Sequence, residues 1–471
     1  MKDVKTLHYQ ECRYRIADAA IILPDGREHV INGEMDIPYL FLKKDFDNEQ
    51  YPFFEMSATI SNKLYREMRK VHDRLKFRLN MRYAMFDTGE VSIESTDVDE
   101  KPFIAKTFYL FMDNPSTYNQ DAVYKVIDED TKHAEDDIDD VDLNNASTIR
   151  FILYDPDAIT TPKKLHRMVL HDVTVTDVMT YILRNFGFTK KLMSPSSNGK
   201  KYDQFVLPPE QMDYQLDRVA NEYGLHDNGS ILFFDYDRLY ITEKTPKCTA
   251  WEPNEVKRVY LVTIPITENE VVNSGAYYDE EDNEIYLTTK AQLIESQTVA
   301  NEIRSGSGIL VINKRTGDYE SFIIDGDKIK AAPKFTGKDG EQSIKYDKTI
   351  VINTGEDTMK ALKERLNERS YVWSVNLDHT MVDALKPNRE YSMVFTDPEQ
   401  AKKYNGTYRL MSLTAKFDAA TADSKWRGVS TVATFVGVPN NFIAQAAEVM
   451  NNAIDFAQRA FSIAQEMANG K

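Results

Sequence analysis

Between His171 and Lys244 the order of parts is set by local chemistry more tightly than anywhere else in the chain. TVTDVMTYILRNFGF reads as a helix. Thr174 offers a capping hydroxyl, Val175, Val178, Met179, Ile182 and Leu183 recur at helical spacing, and Gly187 supplies the stop. PPEQMDYQLDRVANEYGL reads as a second helix, entered at Pro208 and Pro209, with Met212, Leu216, Val219 and Ala220 inward and Gly224 at its end. ILFFDYDRLYITEK then gives two apolar strands turned between Asp235 and Arg238. Two glycine-stopped helices followed by an Asp-turned hairpin call for an α+β architecture.

The rest of the chain is mainly β. At 471 residues it exceeds one core and should hold roughly three or four domains at ~100–200 residues each. Residues 1–120 carry a strand and turn in DAAIILPDGREHVING and a helix in SNKLYREMRKVHDRL, with Ser61 or Asn62 as cap and Leu64, Met68, Val71 and Leu75 inward. The alternating strand KFRLNMRYAMF and the strand FIAKTFYLFM follow, which predicts a small β-barrel or sandwich with a packed helix. Residues 121–148 hold the acidic run DEDTKHAEDDIDDVD, a solvated linker by composition; its Asp spacing lacks the Gly and terminal Glu of an EF-hand loop. The central module, 149–252, is entered by the strand IRFILYD. Residues 253–355 are a β-rich elaboration or inserted domain with the strands RVYLVTIPI, EIYLTTK, GILVINK and SFIIDG. Residues 356–438 repeat the layout of the first domain: the helix GEDTMKALKERLNER, then YVWSVNL, EYSMVFT, TYRLMSLTAKF and VSTVATFVGV, which predicts a second barrel.

Residues 439–471 read as a long helix started by Pro439. Ile443, Ala447, Met450, Ile454, Ala457, Phe461, Ala464 and Ala468 fall at alternating spacings of four and three, an a/d seam. The seam can dock on its own chain or pair with another helix. Its alanines make it narrow, so it is the candidate partner-binding surface only with anchoring by a larger assembly.

Composition excludes several function classes. A net charge of −17 argues against a primary nucleic-acid-binding role, which would show a basic footprint. Two cysteines, Cys12 and Cys248, exclude a disulfide scaffold. The start MKDVKTLHYQECRYR has no signal-like apolar run, and no window approaches a membrane span, which points to folding in a cytoplasm without membrane insertion. Ser305-Gly306-Ser307-Gly308 leads into a strand, so no helix N-terminus faces a phosphate. Cys12 and His8 would meet only on a helix, and no orienting group stands near them. His166 and His171 lack partners at metal-ligand spacing. No catalytic, cofactor or metal residue is expected.

The segments 173–187 and 206–235 resemble the central region of phage tail baseplate hub proteins: the hub of contractile tails, the late control protein D family and the VgrG spike proteins. LKPNREY (385–391) and YNGTYRLMSLTAKF (404–417) resemble a phrase common in the last barrel of these hubs, with Asn388 in place of Gly. The resemblance implies a non-enzymatic homotrimer in the virion baseplate, with two tube-like barrels per chain. It implies an adaptor between a six-fold tail tube protein and a three-fold central spike protein, with DNA passing through a lumen that does not hold it. The C-terminal helix would then engage a tape-measure protein or its own copies. The alternatives are a tail-associated cell-wall hydrolase and a peripheral, receptor-binding baseplate component.

Overall fold

The computed structural model describes residues 8–71, 74–87, 98–112, 146–157, 164–187, 191–226, 229–236, 238–244, 259–263, 275–278, 284–288, 290–298, 308–313, 318–325, 328–332, 346–352, 358–366, 369–395, 397–420 and 424–439. The chain is mainly β.

The N-terminal elements are β1 (His8–Ile22), β2 (Glu28–Val30), β3 (Tyr39–Asp45), β4 (Phe53–Ser61), α1 (Asn62–Lys70), β5 (Lys76–Asp87), β6 (Lys101–Met112) and β7 (Ala146–Tyr154). The central module holds β8 (Leu165–Thr174), α2 (Val175–Asn185), β9 (Lys191–Met193), β10 (Lys201–Gln211), α3 (Met212–Asp217) with a π-turn (Arg218–Glu222), β11 (Ser230–Asp235) and β12 (Arg238–Glu243). Next come β13 (Val259–Thr263), β14 (Gly275–Tyr278), β15 (Glu284–Thr288), β16 (Ala291–Thr298), β17 (Gly308–Asn313), β18 (Tyr319–Asp325), β19 (Lys328–Ala331) and β20 (Tyr346–Ile352). The chain continues through α4 (Thr358–Leu366), β21 (Arg369–Asp378), β22 (Tyr391–Phe395), α5 (Pro398–Tyr404), β23 (Gly406–Phe417) and β24 (Val429–Pro439).

Among the described residues neither predicted barrel closes by itself, and the two are not separate. Fifteen strands form one sheet, in the order β16-β21-β24-β23-β22-β13-β15-β14-β1-β5-β6-β7-β4-β3, with β2 on β1 and a further pairing of β23 with β3. Two long strands make the join. The first residues of β1 pair with β14, and Gln10 to Ile22 pair with β5. Residues 406–408 of β23 pair with β22; beyond the register shift between Leu410 and Ser412, residues 412–417 pair with β3. A bulge turns a strand and re-aims its edge, which lets one strand serve two neighbours in turn. A single buried cluster spans both halves, from Tyr14, Phe54 and Phe77 to Tyr408, Phe417 and Phe435.

Sequence chemistry accounts for the local elements. Ser61 caps α1 by accepting from the Leu64 N–H, and Leu64 and Met68 face inward; the helix is shorter than its pattern, with Val71 as C-cap and Leu75 buried beyond it. In β5 the buried set changes parity from Phe77, Leu79 and Met81 to Ala84 and Phe86 across the bulge between Met81 and Arg82. Gly26 turns β1 into β2 with φ of 87°.

Region 253–355 divides. β13, β14, β15 and β16 join the large sheet, whereas β19-β18-β17-β20 form a four-stranded sheet of their own. The helix expected to lead the second barrel belongs to that small sheet: Leu362 and Leu366 of α4 bury against Ile309, Val311, Phe322 and Ile350. Pro439, expected to open the terminal helix, closes β24 instead.

Candidate functional site

The central module has its own core. Every residue of the predicted α2 stripe is buried, and Thr174 and Asp177 form a reciprocal capping box. Gly187 and Gly224 hold the left-handed stops, with φ of 79° and 75°. The second helix starts later than its prolines suggest. Pro208 and Pro209 lie in β10, at a register shift between Leu207 and Glu210, where a residue without an N–H costs no ladder bond. The Pro208 carbonyl instead accepts from the Gln215 side chain at 2.8 Å. Met212, Leu216, Val219 and Ala220 bury as their spacing requires, although the last turn widens, with Leu225 N–H donating to the Ala220 carbonyl at 2.8 Å.

Polar side chains brace the helix end. Asn198 donates to the Tyr223 and Gly224 carbonyls at 3.0 and 2.9 Å, and Ser196 donates to the Leu225 carbonyl at 2.6 Å. The buried His226 ring lies 2.6 Å from Ser194 Oγ through Nε2 and 2.8 Å from Ser230 Oγ through Nδ1. Ser194 Oγ also accepts from the Glu243 N–H, and Ser230 Oγ donates to the Ala220 carbonyl. Both ring nitrogens are thus engaged in a buried structural network, with the two hydroxyls buried.

The hairpin tip is where the module meets the large sheet. Lys44 of β3 is 2% exposed, and its Nζ reaches both Asp235 carboxylate oxygens at 2.9 and 2.8 Å. Tyr236 inserts between Phe54 and Phe108, with ring centroids 5.9 and 5.8 Å away, and Lys44 Nζ stands 5.8 Å over its ring. Lys106 donates to the Tyr236 carbonyl at 3.1 Å and pairs with Asp155. Phe233 packs edge-on against Phe46, Phe234 stacks on Tyr51 at 4.6 Å, and Phe234 N–H donates to the Gln50 carbonyl at 2.7 Å. Burial, then the neighbouring Asp235 carboxylate, holds the Tyr236 phenol well above its ordinary pKa. The FFDY phrase is a clamp that fixes the module onto the first half of the sheet.

A second seam joins the two halves of that sheet. Tyr14 and Arg427 exchange backbone hydrogen bonds. The Arg427 guanidinium, 1% exposed as a residue, donates to the carbonyls of Asp418, Gly33 and Ile37. Burial lowers its pKa to about 10. Arg409 binds Asp47 through two bonds of 2.8 and 2.7 Å. In the LKPNREY phrase, Tyr391 Oη accepts from the Lys386 N–H and donates to its carbonyl, both at 2.9 Å, while Arg389 pairs with the buried Glu284 at 3.1 Å. Asn388 has no positive φ, so this turn does not require the glycine of the resembled phrase.

The residues weighed for chemistry are not assembled into a site. His8 and Cys12 lie on the strand β1, where four residues span about 13 Å, so they do not meet. Burial pushes the Cys12 thiol up to about 12. Asp177 is a cap residue held below the usual carboxylate range by its hydrogen bonds to Thr174, and Asp217 accepts from Asn221. Ser305 to Ser307 and the acidic run lie outside the described residues, as do Ile443, Ala447, Met450, Ile454, Ala457, Phe461, Ala464 and Ala468. Among the described residues no group of His, Cys, Asp or Glu has metal-holding geometry, and no helix is long and apolar enough to cross a membrane. Lys44, Asn198, His226 and Arg427 carry no signal in the sequence; each has at least one partner 25 or more residues away along the chain.

The model of the bacteriophage PBS1 gene 109 protein family matches residues 12–440. The chain belongs to that family. No curated protein matches it in sequence. Among solved structures it is similar to the tail protein from Neisseria meningitidis MC58, at 9% identity over 91% of this chain and 97% of that one, with a TM-score of 0.42. It is also similar to the prophage MuSo2 43 kDa tail protein from Shewanella oneidensis (10% identity, 92% and 100% covered, TM-score 0.39). The phage P2 baseplate in its activated conformation gives 8% identity, 90% and 99% covered, and a TM-score of 0.31. The resemblance to phage tail baseplate hub proteins drawn from the sequence thus stands beside membership of a phage protein family.

Proposed function

We propose that this member of the gene 109 family is a non-enzymatic hub of a phage tail baseplate, working as a homotrimeric adaptor between the six-fold tail tube and the three-fold central spike. The observation that carries the reading is the shared sheet. β1 and β23 each serve both halves, over one core, so the two halves of the sheet are held at a fixed relative placement. A rigid chain offering two like faces gives six such faces in a trimer, and each face meets a neighbour heterologously in a ring that closes. The tube-like barrels of the sequence reading would then close between chains. The net charge of −17 suits a channel that lets DNA pass without holding it.

The heptad seam from Ile443 to Ala468 is assigned to a coiled partner, either the tape-measure protein or its own copies. The working units are 1–120, 121–148, 149–252, 253–355, 356–438 and 439–471. Native mass measurement of the full chain, alone and mixed with tube and spike proteins, tests the reading. A trimer, or a ring formed on mixing, is expected; a strict monomer under every condition overturns it. A chain ending at residue 439 should melt cooperatively and lose a partner contact, and loss of its cooperative melt would make the helix part of the core instead.

A further inference from the structure

The two-stranded ribbon of β8 and β10 carries a feature that neither the clamp nor the family explains. Residues 163–171 read KKLHRMVLH: three Lys or Arg, two His and no carboxylate, in a chain of net charge −17. The strand alternates. Met168 and Leu170 pack against the module's core, while Leu165, Arg167, Val169 and His171 are exposed on the opposite face. Val169 lies directly across from Val206, and the two are 51% and 52% exposed. Among the described residues β8 and β10 pair only with each other, so each leaves one backbone edge unpaired. The nearby carboxylates do not cancel the basic end. Glu210 is held by Arg218 at 2.8 Å, Asp213 accepts from the Tyr214 N–H at 2.9 Å, and Asp172, beside Lys201 at 3.5 Å, lies with Asp203 at the other end of the ribbon.

We propose that the β8 edge is a docking site for an acidic, extended polypeptide segment of a partner protein, added as a third strand to the ribbon. The unpaired N–H and C=O groups supply the ladder. Lys164 and Arg167 select carboxylates, and Leu165 and Val169 accept apolar side chains at alternate positions of the incoming strand. Nucleic acid fits less well. Among the described side chains, the exposed face of β8 offers only the His171 imidazole for base stacking. The inference stands independently of the hub reading, since it concerns one strand edge and not the state of assembly.

The test uses the full chain and a fluorescein-labelled peptide of alternating Asp and Val, followed by anisotropy and by amide exchange. Saturable binding that weakens steeply with salt is expected, together with added protection at the amides of residues 165–171. A Lys164→Glu/Arg167→Glu variant should bind about tenfold or more weakly, and Val169→Glu should do the same while leaving the melting temperature unchanged, since its side chain is exposed. The double variant should also melt as the parent does. Equal binding of a Ser-Val peptide, equal binding of a single-stranded oligonucleotide, binding without new amide protection, or no binding at all would each overturn the proposal.

Discussion

The hairpin clamp and the inter-sheet seam both fasten pieces of the molecule, but by different physics. The clamp inserts an aromatic wedge, Tyr236, and ties it with an ion pair whose lysine is 2% exposed. The seam relies on backbone pairing, on the part-buried Arg409–Asp47 pair and on Arg427, whose terminal NH groups donate to three carbonyls and which has no ion pair of its own among the described residues. A buried ion pair leaves a stranded charge when one partner goes, whereas a guanidinium bound to carbonyls takes its own desolvation cost with it when removed. The clamp should therefore be the more brittle join, although the seam has more hydrogen bonds to the key side chain.

Four substitutions sharpen or break that contrast. Tyr236→Ala removes the ring between Phe54 and Phe108 and should cost about 3–5 kcal/mol in urea unfolding, in line with other buried aromatic truncations. A loss below about 1 kcal/mol would mean that the tip is not packed as described. Lys44→Met should cost about 3 kcal/mol by stranding Asp235, and a Lys44→Met/Asp235→Leu chain should recover most of it. If the double variant is instead as weak as the sum of the singles, the pair is not coupled. Arg427→Met should cost less, about 1–2 kcal/mol, because three unsatisfied carbonyls are partly offset by the avoided burial of a charge. An Arg427 loss larger than that of Lys44 would reverse the comparison.

The smallest effect belongs inside the module. Thr174→Ala should remove about 1 kcal/mol with the capping box. The Asp177 carboxyl has a folded pKa below its ordinary value, so its contribution is present above about pH 4 and is lost as pH falls through the folded value. Thr174→Ala should flatten that acid limb of the stability profile, and an unchanged limb would refute the assignment.

The legible parts of the fold were those that neighbours along the chain decide. The stripe from Val175 to Leu183, the stops at Gly187 and Gly224 and the hairpin from Ser230 to Glu243 all stand where period and cap placed them. The exceptions are instructive. Pro208 and Pro209 look like a helix start, but a bulge in β10 accepts them equally well, and the choice rests with β8, its partner in pairing. The helix α4 shows an inward face without showing what it faces, and it covers the small sheet instead of the strands that follow it. The short helix α5, capped by Asp397 and started by Pro398, is a further element that the strand pattern around it hides.

What the sequence determined by itself was the list of parts: mainly β, two glycine-stopped helices, an Asp-turned hairpin and an acidic chain with few cysteines. Periods, caps and turns act within a few residues, so they are written locally. Which parts join was decided only in three dimensions. Lys44 meets Asp235 across 191 residues, and Arg427 meets Gly33 across 394. One sheet formed in place of two barrels because the bulge between Leu410 and Ser412 lets β23 leave β22 and pair with β3. Such pairings depend on the closing of long loops and on a common core, and no local pattern encodes either.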